Sequence, residues 1–225
     1  DHPLTSPSPN TCAPHVNILS ADFVTSVASG NDVPTAGTPT VALVGRSNVG
    51  KSLLINALTD RQIARTGAKP GTTRLVNIYR VRVSASARMR PLAFTLADLP
   101  GYGFARGGSE ARHGFENLTR EFFDHAVVGR TPTKPETRTF RLAGSILLVD
   151  GRHPGLPIDL TAHSWLRDRQ YPLQVVTTKN DKLSQAKRTQ VQREHERYFG
   201  NEVLAVSSKT GAGIADVWTA ITRLL

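Results

Sequence analysis

What this sequence has little of limits the classes of protein to which it can belong. Cys12 is its only cysteine, so neither an internal disulfide nor a cysteine-based metal site can form. No apolar run approaches the roughly 18 residues of a membrane-spanning helix, and we expect no association with membranes. Hydrophobic residues make up 39% and charged residues 20% of the 225 residues, which is typical of a globular rather than a disordered protein. The chain is long enough for one α/β domain with a full core.

Positive charge is absent from the start of the chain and concentrated further on. Residues 1–40 contain no Lys or Arg, although the net charge of the chain is +10. Residues 61–90 contain no acid and eight basic residues, which are Arg61, Arg65, Lys69, Arg74, Arg80, Arg82, Arg88 and Arg90. A compact domain this basic usually binds a polyanion, so we interpret these eight residues as candidates for RNA contact. A basic surface that only aids solubility is the alternative.

The first 39 residues differ from the rest in composition. Residues 1–20 are rich in Pro, Ser, Thr and Asn without periodicity, and residues 30–39 are rich in turn-forming residues. Asp22–Val27, between them, is apolar enough to dock on a domain. We expect a loosely ordered arm and linker over residues 1–39 and a compact domain over residues 40–225. Because the chain begins with Asp1 rather than Met, we also expect a further N-terminal piece.

A phosphate-binding motif follows the first strongly apolar run. Gly45–Ser52 matches G-x-x-x-x-G-K-[ST], between the strand-like Val41–Val44 and the helix-like Leu53–Leu58. In that context backbone N–H groups and a helix N-terminus bind phosphates, Lys51 reaches the β- and γ-phosphates, and the Ser52 hydroxyl ligates Mg²⁺. The expected nucleotide-binding residues here are Gly45, Arg46, Ser47, Asn48, Val49, Gly50, Lys51 and Ser52. A glycine-rich turn with a chance lysine is the alternative.

Three further motifs each follow a predicted strand. Asp98–Gly101 reads D-x-x-G, in which the carboxylate can hold Mg²⁺ and the Gly101 N–H can meet a γ-phosphate. Thr178–Asp181 fits [NT]-K-x-D, in which Asp181 accepts two hydrogen bonds that guanine offers and adenine does not. The stem of Lys179 can lie over the base. The expected base-binding residues are Thr178, Lys179, Asp181, Lys182, Ser207, Ser208 and Lys209, the last three through backbone N–H groups directed at guanine O6. A solvated loop is the alternative for each short motif taken alone.

Strands that alternate with helices predict an α/β fold. We expect the G domain of a P-loop GTPase, with a mostly parallel, six-stranded sheet and helices on both faces. The helices are predicted over residues 115–128, 158–170, 184–198 and 214–225. Sites on such sheets lie beyond the carboxyl ends of the strands, where every motif described above falls.

The motifs together resemble the translation-factor-related class of GTPases and, more narrowly, the EngB/YihA family of ribosome-biogenesis GTPases. The likeness covers roughly Ala21 to the C-terminus. It is carried by Asp22–Ser26, Gly45–Ser52, Pro70–Thr73, Asp98–Gly103, Asp150–Pro154, Thr178–Lys182 and Ser207–Lys209. Gly-Tyr-Gly at residues 101–103 and Arg-His-Pro at residues 152–154 point to this family in particular. From position alone, Arg152 and His153 either brace the loops beside the nucleotide or cap a turn.

The resemblance implies roles for individual residues. Thr73 looks like the first switch threonine, which would ligate Mg²⁺ together with Ser52 and Asp98, and Pro70, Gly71 and Thr72 would also contact nucleotide. The expected catalytic residues are Lys51, Thr73, Gly101 and Asn48, the last as a candidate K⁺ ligand. Tyr102 stands where Ras-like GTPases place the glutamine that orients water, so we expect slow intrinsic turnover. The third residue of Pro70–Thr73 departs from the family, whose members often carry arginine there.

The resemblance also implies a function. It points to a switch that binds GTP, hydrolyses it slowly, and assists assembly of the large ribosomal subunit through contacts with rRNA, ribosomal proteins or other assembly factors. A G domain that serves mainly as an RNA or protein scaffold is the alternative. Because the basic run overlaps the first switch, we expect nucleotide state to change the RNA-facing surface. We expect a monomer when free. The N-terminal arm and a long loop over residues 129–141 favour the mitochondrial matrix, with the bacterial cytoplasm as the alternative.

Overall fold

The computed structural model describes residues 16–34, 37–66, 75–84, 90–103, 117–127, 140–200 and 202–225. The predicted α/β fold is confirmed in these residues. The strands are β1 (Asn17–Val27), β2 (Thr40–Gly45), β3 (Val76–Ser84), β4 (Leu92–Asp98), β5 (Ala126–Val127), β6 (Phe140–Asp150), β7 (Leu173–Thr178) and β8 (Val203–Ala205). The helices are α1 (Lys51–Thr59), α2 (which includes residues 117–124), α3 (Pro157–Asp168), α4 (Gln185–Phe199) and α5 (Ile214–Leu224).

The order of strands brings the predicted motifs to one edge of the sheet. That order is β1-β3-β4-β2-β6-β7-β8, and the short β5 pairs with β6 outside this path. Strands β4, β2, β6, β7 and β8 are parallel, whereas β3 is antiparallel to both of its neighbours. The parallel strands therefore end at a common edge, called here the carboxyl edge, and the start of β3 also lies there. Gly45, Asp98, Asp150 and Thr178 are the last residues of their strands.

Two hydrophobic layers cover the two faces of the sheet. Side chains of α1 and α5, including Leu54 and Trp218, pack on one face. Side chains of α2, α3 and α4, including Phe122 and Phe199, pack on the other. All six residues of β2 are buried, because this central strand is covered on both sides, as is usual for a strand in a parallel sheet. The phosphate-binding motif therefore follows a rigidly held strand.

The N-terminal region differs from the expectation of a loosely ordered arm. Within residues 1–39, Asn17–Val27 forms β1, which pairs with β3 from Asn17 opposite Ser84 to Val27 opposite Val76. Ala21 and Val27 are buried. The register shifts once between Ile18 and Ser20 and again between Phe23 and Thr25, so the strand shows no sustained alternation in sequence. The sheet thus extends ahead of the expected domain start at Thr40, while residues 1–15 lie outside the described residues.

The six predicted strands are all present, and β1 and β5 bring the total to eight. The helices α3, α4 and α5 begin and end within two residues of the predicted limits. The helix predicted over residues 115–128 ends earlier, at residue 124, because Ala126–Val127 pairs with the start of β6 instead. In the part of the chain that the structure describes, no helix is long and apolar enough to cross a membrane.

Candidate nucleotide-binding site

The phosphate loop connects the end of β2 to the start of α1. Asn48 and Gly50 have φ values of 59° and 114°, in the left-handed region that permits a tight turn. A Cβ atom at Gly45 would lie 2.8 Å from the carbonyl oxygen of Leu148, so the chain leaves β2 at a point where only glycine fits. The helix then begins at Lys51, directly after the loop. Its N-terminus carries the partial positive charge that favours phosphate.

Lys51, Ser52 and Asp98 converge where the phosphate loop meets the end of β4. Lys51 is buried, and its Nζ donates to the Gly45 carbonyl at 3.2 Å. Ser52 Oγ donates to Asp98 Oδ2 at 3.5 Å. Burial raises the pKa of Asp98 to about 6, although the Lys51 charge and the Ser52 hydrogen bond both lower it. Burial likewise lowers the pKa of Lys51, and the charge of Asp98 opposes that shift. The carboxyl group of Asp98, the hydroxyl group of Ser52 and the ammonium group of Lys51 thus lie close together.

The chemistry of these groups fits Mg²⁺. Asp98 Oδ1 is buried and has no hydrogen-bond partner among the described residues, so a hard oxygen ligand is available there. Mg²⁺ prefers oxygen ligands and usually takes only one or two from protein, with phosphates and water supplying the rest. Ser52 and Asp98 are therefore suited to hold the ion. Thr73, the third expected ligand, lies outside the described residues, as do Pro70, Gly71 and Thr72.

The D-x-x-G segment lies directly against the phosphate loop. Ser47 donates to two of its carbonyl groups, from the backbone N–H to Tyr102 and from Oγ to Gly101, both at 3.0 Å. A Cβ atom at Gly101 would lie 2.6 Å from the Ser47 backbone, so this approach requires glycine. Gly101 therefore lies directly beside the phosphate loop, and its contact with a γ-phosphate stays a prediction.

The side chain of Tyr102 is engaged by α3. Its hydroxyl group donates to Asp159 Oδ1 at 2.9 Å, and both residues are buried. Tyr102 is thus committed to a contact other than the orientation of attacking water. Sequence alone does not indicate this role for Asp159, because an acid in the first turn of a helix is ordinary.

The base-binding motif is bonded directly to the phosphate loop. Thr178 Oγ1 donates to the Val49 carbonyl at 2.6 Å. Lys179 Nζ donates to the Asn48 carbonyl at 2.7 Å and to Asp150 Oδ2 at 3.1 Å. Nucleotide contacts predicted from two distant segments of sequence therefore belong to one continuous network.

Hydrogen bonds around Asp181 distinguish among the residues that are predicted to contact the base. Asp181 Oδ1 accepts a hydrogen bond from Ser207 Oγ at 2.8 Å, which orients the carboxylate. The Ser207 N–H already donates to the Ala212 carbonyl at 2.9 Å. The contact of the Ser208 and Lys209 N–H groups with guanine O6 stays a prediction. Lys182 is exposed at the end of the motif.

Asn180, inside the base motif, and Asp150, outside it, support the residues that are expected to bind the base. Asn180 Nδ2 donates to the carbonyls of Thr177 and Val206 at 2.9 and 3.0 Å, which ties the end of β7 to the segment after β8. Asp150 binds Arg152 through Nε at 2.9 Å and Nη2 at 2.7 Å, as well as Lys179. Burial tends to raise the pKa of Asp150, but these hydrogen bonds outweigh it and hold the pKa well below its usual range. Of the two roles open to Arg152, the contacts favour bracing.

The described members of the basic run lie away from the nucleotide motifs. Arg82 pairs with Ala93 near the start of β4, Arg90 precedes that strand, and Arg61 follows the end of α1. Arg80 lies opposite Thr95, midway along β4, and Arg65 lies just past the turn after α1. Arg61, Arg82 and Arg90 therefore lie towards the end of the domain opposite the carboxyl edge, whereas Arg80 lies midway along the sheet. The expected overlap of the basic run with the first switch stays a prediction, because Pro70–Thr73 lie outside the described residues. Lys69, Arg74 and Arg88 lie outside the described residues.

Comparison with known proteins agrees with this arrangement. A family model described as "50S ribosome-binding GTPase" matches residues 40–179, which include the phosphate loop and Asp98–Gly101. A protein of Pelotomaculum thermopropionicum named "Probable GTP-binding protein EngB" is 39% identical over 176 residues, or 78% of each chain. The protein of the same name from Geobacillus thermodenitrificans is 35% identical over 215 residues, which cover 93% of this chain and 99% of the relative.

Solved structures show the same fold. The crystal structure of a probable GTP-binding protein EngB superposes with a TM-score of 0.57 at 24% identity, covering 82% of this chain and 97% of the other. The FeoB G-domain from Methanococcus jannaschii gives a TM-score of 0.51 at 20% identity. The match to the family model and the identity to curated relatives confirm both the resemblance seen in the sequence and the prediction of GTP hydrolysis. The chain therefore belongs to the EngB family of GTPases.

Proposed function

We propose that this protein is a GTP-dependent switch that acts in assembly of the large ribosomal subunit and contacts its rRNA. The observation that carries the proposal is the presence, in one domain, of the nucleotide motifs at the carboxyl edge and of exposed arginines outside those motifs. The matching family, described as a "50S ribosome-binding GTPase", supports the choice of partner. Ribosomal proteins and other assembly factors are further partners under this proposal.

The exposed arginines form a surface suited to phosphate groups. We call Arg61, Arg65, Arg80, Arg82 and Arg90 the basic end. All five are exposed. The ion pairs of the described residues involve only Arg152, Arg169 and Lys179, so acidic side chains in that part of the chain leave the basic end unpaired. No array of aromatic side chains accompanies them in the part of the chain that the structure describes, which favours contact with the backbone of folded RNA over readout of single strands.

The nucleotide site supplies the switch. Lys51 would neutralise charge on the β- and γ-phosphates, and Gly101 would meet the γ-phosphate through its N–H. Mg²⁺ held by Ser52, Thr73 and Asp98 would neutralise charge that develops on the phosphate oxygens. Because Tyr102 is bonded to Asp159, the described part of the site offers no side chain in the place of a water-orienting glutamine. Turnover in the isolated protein is therefore expected to be slow.

Asn48 is the proposed ligand for K⁺, whose positive charge would stabilise the transition state. It stands exposed in the phosphate loop in a left-handed conformation, beside the segment that contains Gly101. We expect GTP turnover to be faster in KCl than in NaCl at equal ionic strength, and Asn48→Ala to remove the difference. Equal rates of the wild-type protein in the two salts would contradict a K⁺ site.

Co-sedimentation tests the proposed switch. The full chain, loaded with a non-hydrolysable GTP analogue, should sediment with large-subunit precursor particles, and a much smaller fraction of the GDP-loaded protein should do so. Ser52→Ala should abolish the difference and block assembly in cells. If Ser52→Ala supports assembly normally, the scaffold alternative is correct and hydrolysis is incidental. Equal sedimentation in both nucleotide states would also contradict the switch.

We propose that the protein acts in the mitochondrial matrix. The composition of the N-terminal residues and the length of the segment over residues 129–141 favour this compartment. The relatives compared above are bacterial, which supports the alternative of the bacterial cytoplasm. Fractionation of the cells that produce the full-length protein decides between them, since an organellar protein should co-purify with mitochondria and resist protease until the membranes are opened.

A further inference from the structure

We propose that Asp150 is a positioning residue for the nucleotide, because its buried carboxylate fixes the Lys179 ammonium between the base site and the phosphate loop. The inference rests on the proposed guanine site, in which the stem of Lys179 lies over the base. Asp150 belongs to neither the phosphate loop nor the base motif. It acts on the nucleotide only through Lys179.

The contacts place Lys179 at a junction of three segments. Asp150 is the last residue of β6 and is 1% exposed. Its Oδ2 accepts from Lys179 Nζ at 3.1 Å, and the same ammonium donates to the Asn48 carbonyl at 2.7 Å. One ammonium thus joins the end of β6 and the phosphate loop to the base motif. A long side chain held at both acceptors loses little further freedom when a base stacks on its stem.

The carboxylate is itself held rigidly. Arg152 binds it through Nε and Nη2, and the Arg152 backbone N–H donates to Oδ1 at 3.1 Å. A bidentate guanidinium fixes the plane of a carboxylate as well as its charge. The depressed pKa of Asp150 means that the group stays ionised throughout the neutral range. Lys179 therefore faces a permanent, immobile negative charge.

The backbone at Lys179 also requires support. Its φ of 61° lies in the left-handed region, which is unfavourable for a residue with a Cβ atom. The neighbours on both sides hold it there, Thr178 through the Val49 carbonyl and Asn180 through the Thr177 and Val206 carbonyls. The backbone is thus fixed by these contacts and the side chain by Asp150 and Asn48. Such local strain is characteristic of functional positions.

This arrangement separates the role of Asp150 from that of Asp181. Asp181 is placed to read the donors on the edge of guanine, so its replacement should change which base is preferred. Asp150 can affect the base only through Lys179, whose stem is expected to lie over the ring plane that all purines share. Loss of Asp150 should therefore weaken binding of GDP and XDP by the same factor and leave the preference between them unchanged.

A double-mutant cycle tests the inference. GDP affinity of the full chain is measured for Asp150→Asn, Lys179→Met and the double variant. Asp150→Asn removes the charge without changing shape, and we expect it to weaken GDP binding roughly tenfold or more, as for loss of a charged hydrogen bond. In the Lys179→Met background the same change should alter affinity by less than about twofold, since groups that act through one contact are not additive.

The other outcomes have definite meanings. If Lys179→Met alone leaves GDP affinity unchanged, this inference fails because the ammonium group has no role, whereas the proposed base site fails only if Asp181→Asn leaves the preference for guanine unchanged. If Lys179→Met weakens binding but Asp150→Asn does not, only the inference fails. It also fails if the two effects multiply, or if Asp150→Asn changes the preference between GDP and XDP, because Asp150 would then act by another route.

Asp124→Asn is the matched control, because it breaks an ion pair with Arg169 at 2.8 Å in a different part of the molecule. It should leave GDP affinity unchanged. Thermal unfolding of every variant without nucleotide verifies that the fold is intact. Should Asp150→Asn not fold, Asp150→Glu displaces the carboxylate while keeping its charge, and the same cycle with Lys179→Met gives the same distinctions.

Discussion

At the scale of single residues, burial of Asp98 in the candidate Mg²⁺ site lowers the stability of the nucleotide-free fold at neutral pH. Its pKa rises from 3.8 to about 6 because the carboxyl group is buried, so the folded protein binds this proton more tightly than the unfolded chain does. The stabilising contribution of the protonated group is therefore complete below about pH 4. It decreases as the pH rises towards 6 and is lost above that value. At neutral pH the carboxylate is ionised, as the proposed binding of Mg²⁺ requires, and this lowers the stability of the nucleotide-free fold.

Asp98→Asn should consequently stabilise the nucleotide-free protein. At pH 7.5 we expect the free energy of unfolding to rise on the order of 1–3 kcal/mol, from the size of the pKa shift. The gain should shrink as the pH falls from 6 to 4, where the wild-type carboxyl is protonated too. Urea unfolding in the presence of EDTA at several pH values measures it, with the exposed Asp22→Asn as control. A variant less stable than wild type at pH 7.5 would show that ionised Asp98 is favourable in the fold.

We expect the identity of the bound base to depend on Asp181. Asp181→Asn replaces an acceptor by an amide that can donate to the O2 of xanthine, so preference should move from GDP towards XDP. We expect GDP affinity to fall by about a hundredfold or more, because a polar group of the site would be left unpaired. Competition binding with GDP, XDP and ADP measures the change. Ser207→Ala is the control, since it removes only the hydroxyl that orients Asp181 and should weaken GDP binding without a change of base. Retained selectivity for GDP in Asp181→Asn would place the guanine contact elsewhere.

At the scale of elements, the strand β1 makes the N-terminal region part of the sheet. Ala21 is 2% exposed and lies opposite Val81, whereas Leu19, on the same strand at a register shift, is 41% exposed. Strand β1 is at the end of the strand order, so β3 has it as its sole neighbour on that side. Strand β1 therefore covers one side of β3, which begins at the carboxyl edge.

Ala21→Asp tests whether β1 contributes to stability. It would bury an unpaired carboxylate, and we expect it to lower the free energy of unfolding by about 3 kcal/mol or more. Leu19→Asp introduces the same residue at the exposed position and should change stability by less than about 1 kcal/mol. Denaturant unfolding of both variants provides the comparison. Equal, small effects would mean that this segment behaves in solution as the loosely ordered arm expected from sequence.

Sequence patterns predicted some of these elements well because their signals are local. The run Val41–Val44 and the glycines after it specify strand, loop and helix within a dozen residues, and the base motif follows β7 just as directly. Sequence patterns did not predict strand β1, because two register shifts break its alternation. Its pairing also depends on β3, which lies about fifty residues further along the chain. The bond between Tyr102 and Asp159 likewise joins residues separated by 57 positions, and neither residue type signals the other.

At the scale of the whole molecule, the nucleotide motifs and most of the basic end lie at different ends of the domain. The carboxyl edge holds the nucleotide motifs, whereas Arg61, Arg82 and Arg90 lie towards the other edge, where α1 ends and β4 begins. No described arginine of the basic end adjoins the phosphate loop, so nucleotide state has no direct contact through which to alter that surface. We infer that the basic end supplies RNA affinity in both nucleotide states, and that discrimination between GTP and GDP arises at the carboxyl edge.

The salt dependence of RNA binding tests this division. Replacing Arg80, Arg82 and Arg90 with Gln should reduce the slope of log affinity against log salt concentration by roughly 2 to 3, since each phosphate contact contributes a little under one. Replacing Lys187, Arg193 and Arg197 on α4 changes net charge equally and should reduce the slope by less. The slope of the wild-type protein should be the same with GDP and with a non-hydrolysable GTP analogue, because Arg82 and Arg90 lie by the start of β4, at the end of the sheet opposite the phosphate loop. Binding to folded large-subunit rRNA across a range of KCl concentrations measures all three quantities. Equal losses in the two triple variants would mean that overall charge, rather than the basic end, holds the RNA, and a slope that changes with nucleotide would mean that the two ends of the domain communicate.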